Sequence, residues 1–390
     1  VRLHPGALHG GHTPRHDKPR ADHLGEHRGN GPAEHVPVEA QHKEQVQHNV
    51  HQAADNEHVQ GHAAVANGPQ HAGAHVVYHA GDDAAVIDVG SKYMLFSSDM
   101  LLEGINFDLV YFPLKHLGYK AVVIGINDIL AMNGIPEQLT VCIGVSAKLS
   151  VEDLDELYAG IRSACEDYDI DLVGGDTTAS VNGLAISISV VGSVDKDKIV
   201  YRKGAKTNDI VCITGDLGAA YMGLHLLERE KRAFAGNNSP QPQFGGYEYL
   251  LRRQLKPTAP IDVIMSLREA GVVPTSMIDL SDGLASDMLQ ICHSSGCGVR
   301  LYMERIPIAR ETHQMAEELH ADPVVAALNG GDDHELLFTV PVTLQSKIAG
   351  IGGIDIIGHI TPASTGAKLI APDGGEISLT APGFHHEATE

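Results

Sequence analysis

The chain has 390 residues, a formal net charge of −22 and five cysteines, with no Cys-x-x-Cys pair. That charge argues against a nucleic-acid partner, no run approaches the roughly 18 apolar residues of a membrane span, and the chain opens without an apolar signal core. Its length allows two or three domains with a sizeable core, and its cysteine usage fits reduced cytoplasmic thiols better than a disulfide framework.

Fifteen of the 24 histidines fall in the first 80 residues, which contain no Ile, Phe, Met, Cys, Ser or Trp. The same stretch holds six Lys/Arg and eight Asp/Glu, so it carries −2 and the remaining −20 belongs to residues 81–390. Such a composition cannot bury enough apolar surface to offset its ordering entropy, and residues 1–79 read as a disordered low-complexity segment. One reading is a His-rich metal store. The reading preferred is a segment foreign to the fold, from an out-of-frame or misplaced start, because the composition changes abruptly at Gly81 and the chain begins with Val.

From Gly81 onward the pattern is that of a folded α/β protein. Val86–Val89 and Met94–Ser97 read as strands joined by Gly90-Ser91-Lys92, Leu114 to Met132 as a largely apolar helix, and Leu139–Val145 as a further strand. Ser150 has the type and position of an N-cap with Asp153 at N3, and Val151, Leu154, Leu157, Tyr158, Ile161 and Cys165 lie on one helical face. Ile170–Val173 runs into Gly174-Gly175-Asp176, and Leu184 to Val194 alternates like a long strand. Asp209–Thr214 leads through Gly215-Asp216-Leu217-Gly218 into a helix, a turn whose free N–H groups suit phosphate, although an ordinary strand–helix turn explains it equally. Asn237 to Gly246 reads as a surface loop, Tyr249–Leu255 and Ile261–Ala270 as helices, and Val299–Tyr302, Leu336–Val340 and Ile354–Ile360 as strands. Cys142, Cys165 and Cys212, in apolar runs, read as core fillers.

Six acidic clusters punctuate this body: Gly81-Asp82-Asp83, Ser97-Ser98-Asp99, Asn127-Asp128, Gly174-Gly175-Asp176, Asp279-Leu280-Ser281-Asp282 and Gly330-Gly331-Asp332-Asp333-His334-Glu335. Singly, each reads as a tight turn, since Gly tolerates positive φ and Asp caps its own backbone. Together, read as acidic turns after strand-like runs, they point to one site for divalent metal and a polyanion, because hard cations take carboxylate and phosphate oxygens. Neither a Gly-x-x-x-x-Gly-Lys-Ser/Thr loop nor a Gly-x-Gly-x-x-Gly after a strand is present.

In this order the clusters resemble those of the thiamine-monophosphate kinase family, within the aminoimidazole-ribonucleotide synthetase superfamily, over residues 81 to about 386. The resemblance implies an α+β (α/β mixed), two-domain aminoimidazole-ribonucleotide synthetase-like fold. Residues 80–200 would form the ATP/Mg-binding and dimerisation domain and 201–390 a second α/β domain, in a homodimer. It implies Mg2+ ligands at Asp83, Ser97, Ser98, Asp99, Asp128, Asp176 and Asp279, with a further ion at Asp282. ATP contacts are implied at Tyr158, Gly175, Asp176, Arg202 and Ser281, and thiamine-phosphate contacts at Asn106, Asp332 and Phe384. Asn106 stands where the family usually has His, Asp332 where it has Glu, and His334 where Tyr is common. The implied chemistry is in-line transfer of the ATP γ-phosphoryl group to thiamine monophosphate, a phosphate acceptor that needs no general base. Aminoimidazole-ribonucleotide synthetase-like catalysis and a catalytically impaired nucleotide-binding homologue are the alternatives. Selenophosphate synthetase and the hydrogenase maturation relative are disfavoured, since no Cys lies between Gly81 and Cys142 and the chain does not end in Cys.

Overall fold

The computed structural model describes residues 75–77, 81–235 and 244–381. The first sheet contains β1 (His75–Val77), β2 (Ala85–Asp88), β3 (Lys92–Leu102), β4 (Ile135–Val145), β5 (Asp171–Ala179) and β6 (Ala185–Asp195). Their order is β1-β2-β3-β6-β4-β5, antiparallel except for the β4–β5 pair. β1 lies within the stretch read as low-complexity, so the sheet reaches further towards the N-terminus than the composition suggests. Its three residues pair with the outer edge of β2, His75 opposite Asp88, and satisfy backbone groups that would otherwise remain open. The rest of residues 1–74 lies outside the described residues.

Two helices cover one face of this sheet, α1 (Leu114–Ala131) and α2 (Val151–Tyr168). α1 starts behind Pro113 and is apolar nearly all round, the mark of a helix buried on every side. Leu117, Ile126, Ile129 and Leu130 are fully buried, and each such side chain contributes roughly 1.5–3 kcal/mol. α2 begins with the expected capping box: the Ser150 hydroxyl accepts the Asp153 N–H at 3.2 Å, and the Asp153 carboxylate accepts the Ser150 N–H at 2.8 Å. The two helices touch backbone to backbone. A Cβ at Gly118 would lie 2.0 Å from the Leu157 carbonyl oxygen, and one at Gly160 would lie 1.8 Å from that of Lys115.

The second sheet holds β7 (Asp209–Thr214), β8 (Ser276–Leu280), β9 (Cys297–Tyr302), β10 (Glu335–Pro341), β11 (Ile354–Pro362), β12 (Ala367–Ile370) and β13 (Glu376–Ser378), in the order β13-β12-β9-β11-β7-β10-β8. Between its strands run α3 (Ala219–Ala235), α4 (Glu248–Leu255), α5 (Ile261–Glu269), α6 (Leu284–Ser295), α7 (Arg310–Glu318) and α8 (Pro323–Asn329). β7, β8 and most of β10 are buried, which explains their unbroken apolar runs. One apolar cluster runs from β3, β6 and α1 to Met277 on β8 and Phe338 on β10, so α1 joins the two sheets through a shared core. This is the mixed α+β architecture expected. β12 and β13 carry too few apolar residues to have been recognised in the sequence.

Strand alternation corrects one expectation. On β4, Val141 and Ile143 face the core, and Cys142 between them is exposed rather than packed inside. Cys165 and Cys212 are buried as expected. The same alternation on β3 turns Leu95, Ser97 and Leu101 inwards and leaves Phe96, Met100 and Leu102 exposed at 41%, 63% and 39%. Among the described residues, no helix is long and apolar enough to cross a membrane.

Candidate metal and phosphate site

Three carboxylates from distant parts of the chain meet at one point. Asp83 comes from the turn before β2, Asp128 from the last turns of α1, and Asp279 from β8, and one carboxylate oxygen from each lies within 4.8 Å of the other two. Ser97 on the inward face of β3 donates its hydroxyl to Asp128. Asp99, two residues on, faces the same way, and its Oδ2 is buried without a protein partner.

The electrostatics follow from the crowding. Burial, with Asp279, Asp99 and Asp83 nearby, pushes the Asp128 carboxyl well above its usual range. Burial and the Asp83 charge do the same to Asp279, against the opposing pull of Arg202. Burial raises Asp99 to about 6, against the Ser97 hydrogen bond. Like charges this close need protons or a cation among them. The donor set is all oxygen and includes an orphaned carboxylate oxygen, so these residues fit Mg2+, a hard cation.

Arg202 closes the site from the other side. Its guanidinium pairs with Asp83 at 2.6 Å and donates to Gln290 of α6 at 2.9 Å, while its backbone N–H reaches Asp82 at 2.7 Å. The guanidinium is thus committed to the carboxylate of Asp83 and the side chain of Gln290. Asp282 and Ser281 are exposed where β8 gives way to α6, the Ser281 hydroxyl 3.4 Å from Asp279. Asp287, on the first turns of α6, is buried and accepts the Asp282 N–H at 3.3 Å. No cluster in the sequence analysis contains it, although it recurs in the same run as Asp279 and Asp282.

Other residues named from the sequence stand apart. Ser98 projects from the opposite face of β3 to Ser97 and shares a 2.9 Å hydrogen bond with the Ser189 hydroxyl. Gly175 and Asp176 are exposed on the edge strand β5, opposite Val141 and Cys142, and three strand positions from β3, about 14 Å away. Tyr158 packs half-buried against the core from α2. Asn106 is exposed, and its side-chain oxygen accepts the Leu102 N–H at 2.9 Å, closing its own turn. Phe384 lies outside the described residues.

A second polar group borders the β8 end. The turn before β10 holds Gly331, Asp332 and His334 at φ +70, +63 and +54. Left-handed backbone at two non-glycine residues is strained and persists where the surroundings impose it. Here Asp332 N–H donates to the Ser281 carbonyl at 2.8 Å and His334 N–H to that of Leu280 at 2.9 Å. Asp332 is also ion-paired to Lys120 of α1 and hydrogen-bonded to His334 at 2.8 Å. Burial alone would raise its carboxyl, but these two partners hold it below the usual range. Behind it, Arg253 of α4 pairs with Glu335 at 2.8 Å and donates to the carbonyls of Asp216 and Asp333. The sequence showed the acidic turn, while its basic partners Lys120 and Arg253 sit in helices without a motif.

The family pattern described as AIR synthase related protein, N-terminal domain, matches residues 81–194. The chain is 32% identical over 262 residues to the thiamine-monophosphate kinase of Aquifex aeolicus (strain VF5), covering 67% of this chain and 80% of that one. It is 31% identical over 323 residues to the thiamine-monophosphate kinase of Escherichia coli (strain K12), covering 79% and 91%. The solved structure of AaThiL complexed with AMPPCP and TMP matches with a TM-score of 0.66 and 30% identity, over 76% of this chain and 89% of that one.

Proposed function

The chain belongs to the thiamine-monophosphate kinase family, and from that premise we propose that the Asp83, Asp128 and Asp279 cluster is the catalytic metal site of an ATP-dependent phosphotransferase. The enzyme phosphorylates thiamine monophosphate to thiamine diphosphate with ATP as co-substrate. A relative of the same fold is known in complex with AMPPCP and TMP. The observation that carries the reading is the convergence of three carboxylates from a turn, a helix and a strand within 4.8 Å of one another.

Asp83, Asp99, Asp128 and Asp279 would hold Mg2+, with Ser97 orienting Asp128 and with Asp282 serving a further ion, while Asp176 on the edge strand is too far from this cluster to share that ion. Bound Mg2+ supplies neutralisation of the triphosphate and of the charge that develops during transfer. The protein's own part is positioning. Arg202 sets Asp83 and adds a positive charge beside the phosphates, and Ser281 and Asp282 present a turn at the head of α6. Asp332 faces the acceptor, whose phosphate oxygen attacks in line without a general base. Residues 80–200 would form one domain, supplying Asp83 and Asp128, and 201–390 the other, supplying Asp279 and Arg202.

The face of the first sheet that carries Phe96, Met100 and Leu102, exposed among the described residues, suits a second copy of this chain, giving a homodimer. The five thiols, free of disulfides, agree with a cytoplasmic location.

The test is a phosphoryl-transfer assay with thiamine monophosphate, thiamine and formylglycinamidine ribonucleotide as alternative acceptors. Turnover is expected with thiamine monophosphate alone, dependent on Mg2+ and lost in Asp128→Ala, which removes one of the three converging carboxylates. Turnover with formylglycinamidine ribonucleotide, or wild-type rates in Asp128→Ala, would overturn the reading.

A further inference from the structure

Lys120 is 2% exposed and stands between Tyr119 and Ala121 in the buried part of α1. An ammonium group so placed is tolerated only when paired and hydrogen-bonded. It donates to the Asp332 Oδ2 at 2.5 Å and to the Gln254 carbonyl at 2.9 Å, and lies 5.8 Å from the centre of the Phe112 ring. The other oxygen of Asp332 is bonded to His334 Nε2 at 2.8 Å. Both carboxylate oxygens are thus tied, each by a different residue, on a backbone already held in the left-handed region at φ +63. Yet the Asp332 side chain keeps 36% of its surface accessible. Each carboxylate oxygen carries two lone pairs, so after Lys120 and His334 one remains on each for an outside donor.

We propose that Lys120 is a positioning residue for the acceptor: with His334 it locks Asp332 in a single attitude, so that the accessible edge receives the N–H donors of a heteroaromatic amine, the aminopyrimidine of thiamine monophosphate. The inference rests on the reading that Asp332 faces the acceptor. Stability alone does not account for the arrangement, because a buried ion pair is generally no more stabilising than apolar residues of the same shape. A fixed carboxylate on a partly exposed side chain and strained backbone is instead what recognition of a planar donor requires. The pair also spans the chain: Lys120 lies in the helix that carries Asp128 in its last turn, and the Asp332 turn is bonded to the end of the strand that carries Asp279. The acceptor carboxylate is thereby set at a constant distance from the metal carboxylates.

Steady-state kinetics of Lys120→Met test this. The KM for thiamine monophosphate should rise about tenfold or more, the loss expected of a misplaced charged hydrogen bond, while the KM for ATP stays within about twofold. Asp332→Asn should raise the same KM. The double variant K120M/D332N, which buries no unpaired charge and so guards against misfolding, should be no worse than Asp332→Asn alone. A folded Lys120→Met with an unchanged acceptor KM, equal increases in both KM values, or additive losses in the double variant would each overturn the proposal. Failure of the underlying reading looks different, since the unaltered chain would then show no turnover of thiamine monophosphate, and the proposal would fall with it.

Discussion

Asp333, next to the candidate acceptor residue, illustrates how much a single side chain depends on its surroundings. It is 1% exposed and accepts the Gly218 N–H at 3.1 Å. Burial, helped by Glu335 and Asp216 and opposed by Arg253, pushes its carboxyl up to about 8. A group raised from its ordinary value of 3.8 contributes stability that is complete below about pH 4 and lost as the pH climbs through 8. This group should therefore cost the protein stability between about pH 4 and 8, and Asp333→Asn, which keeps the acceptor for Gly218, should flatten that loss while costing no more than about 1 kcal/mol at pH 7. Thermal melts of both proteins across this range check it, and parallel pH profiles would contradict it. At this scale the sequence identified Asp83, Asp128 and Asp279 through their motifs. It did not separate Ser97 from Ser98, because the inward or outward sense of a strand residue depends on which face meets the helices.

Elements were more legible than turns. The long apolar helix, the Ser150 cap and the alternating β6 all lie where pattern and propensity place them. The acidic clusters were read as turns after strands, and two of them lie inside strands, Ser97-Ser98-Asp99 in β3 and Gly174-Gly175-Asp176 in β5, while Asn127-Asp128 lies in α1, within the helix expected over Leu114 to Met132. Gly and Asp disfavour strands only by propensity, and sheet pairing outweighs that preference. The glycines of α1 and α2 make a sharper point. Gly160 lets the two helices meet at a distance that no side chain permits, so Gly160→Ala should force the backbones apart and destabilise the fold by roughly 1–3 kcal/mol, whereas Ser150→Ala should cost about 1 kcal/mol through the cap alone. Chemical denaturation of the two variants gives the comparison, and a larger loss in Ser150→Ala would count against close helix packing as the stronger constraint.

Across the whole molecule, α1 is the hinge of the design, packed on the first sheet along one side and against β8 on another, with Asp128 and Lys120 reaching the second half from it. Among the described residues, none of the helices covers the opposite face of the first sheet. If a second copy covers it, Met100→Glu should shift the chain from dimer to monomer at micromolar concentration in light-scattering chromatography, and an unchanged mass would exclude that face. What the sequence determined by itself was the alternation of strands and helices and the acidic residue types, because these are local properties of periodicity and motif. Which carboxylates converge, which sit alone on an edge strand, and which buried lysine faces Asp332 were decided only by tertiary structure, since residues 83, 128 and 279 are neighbours only once two sheets close on one helix.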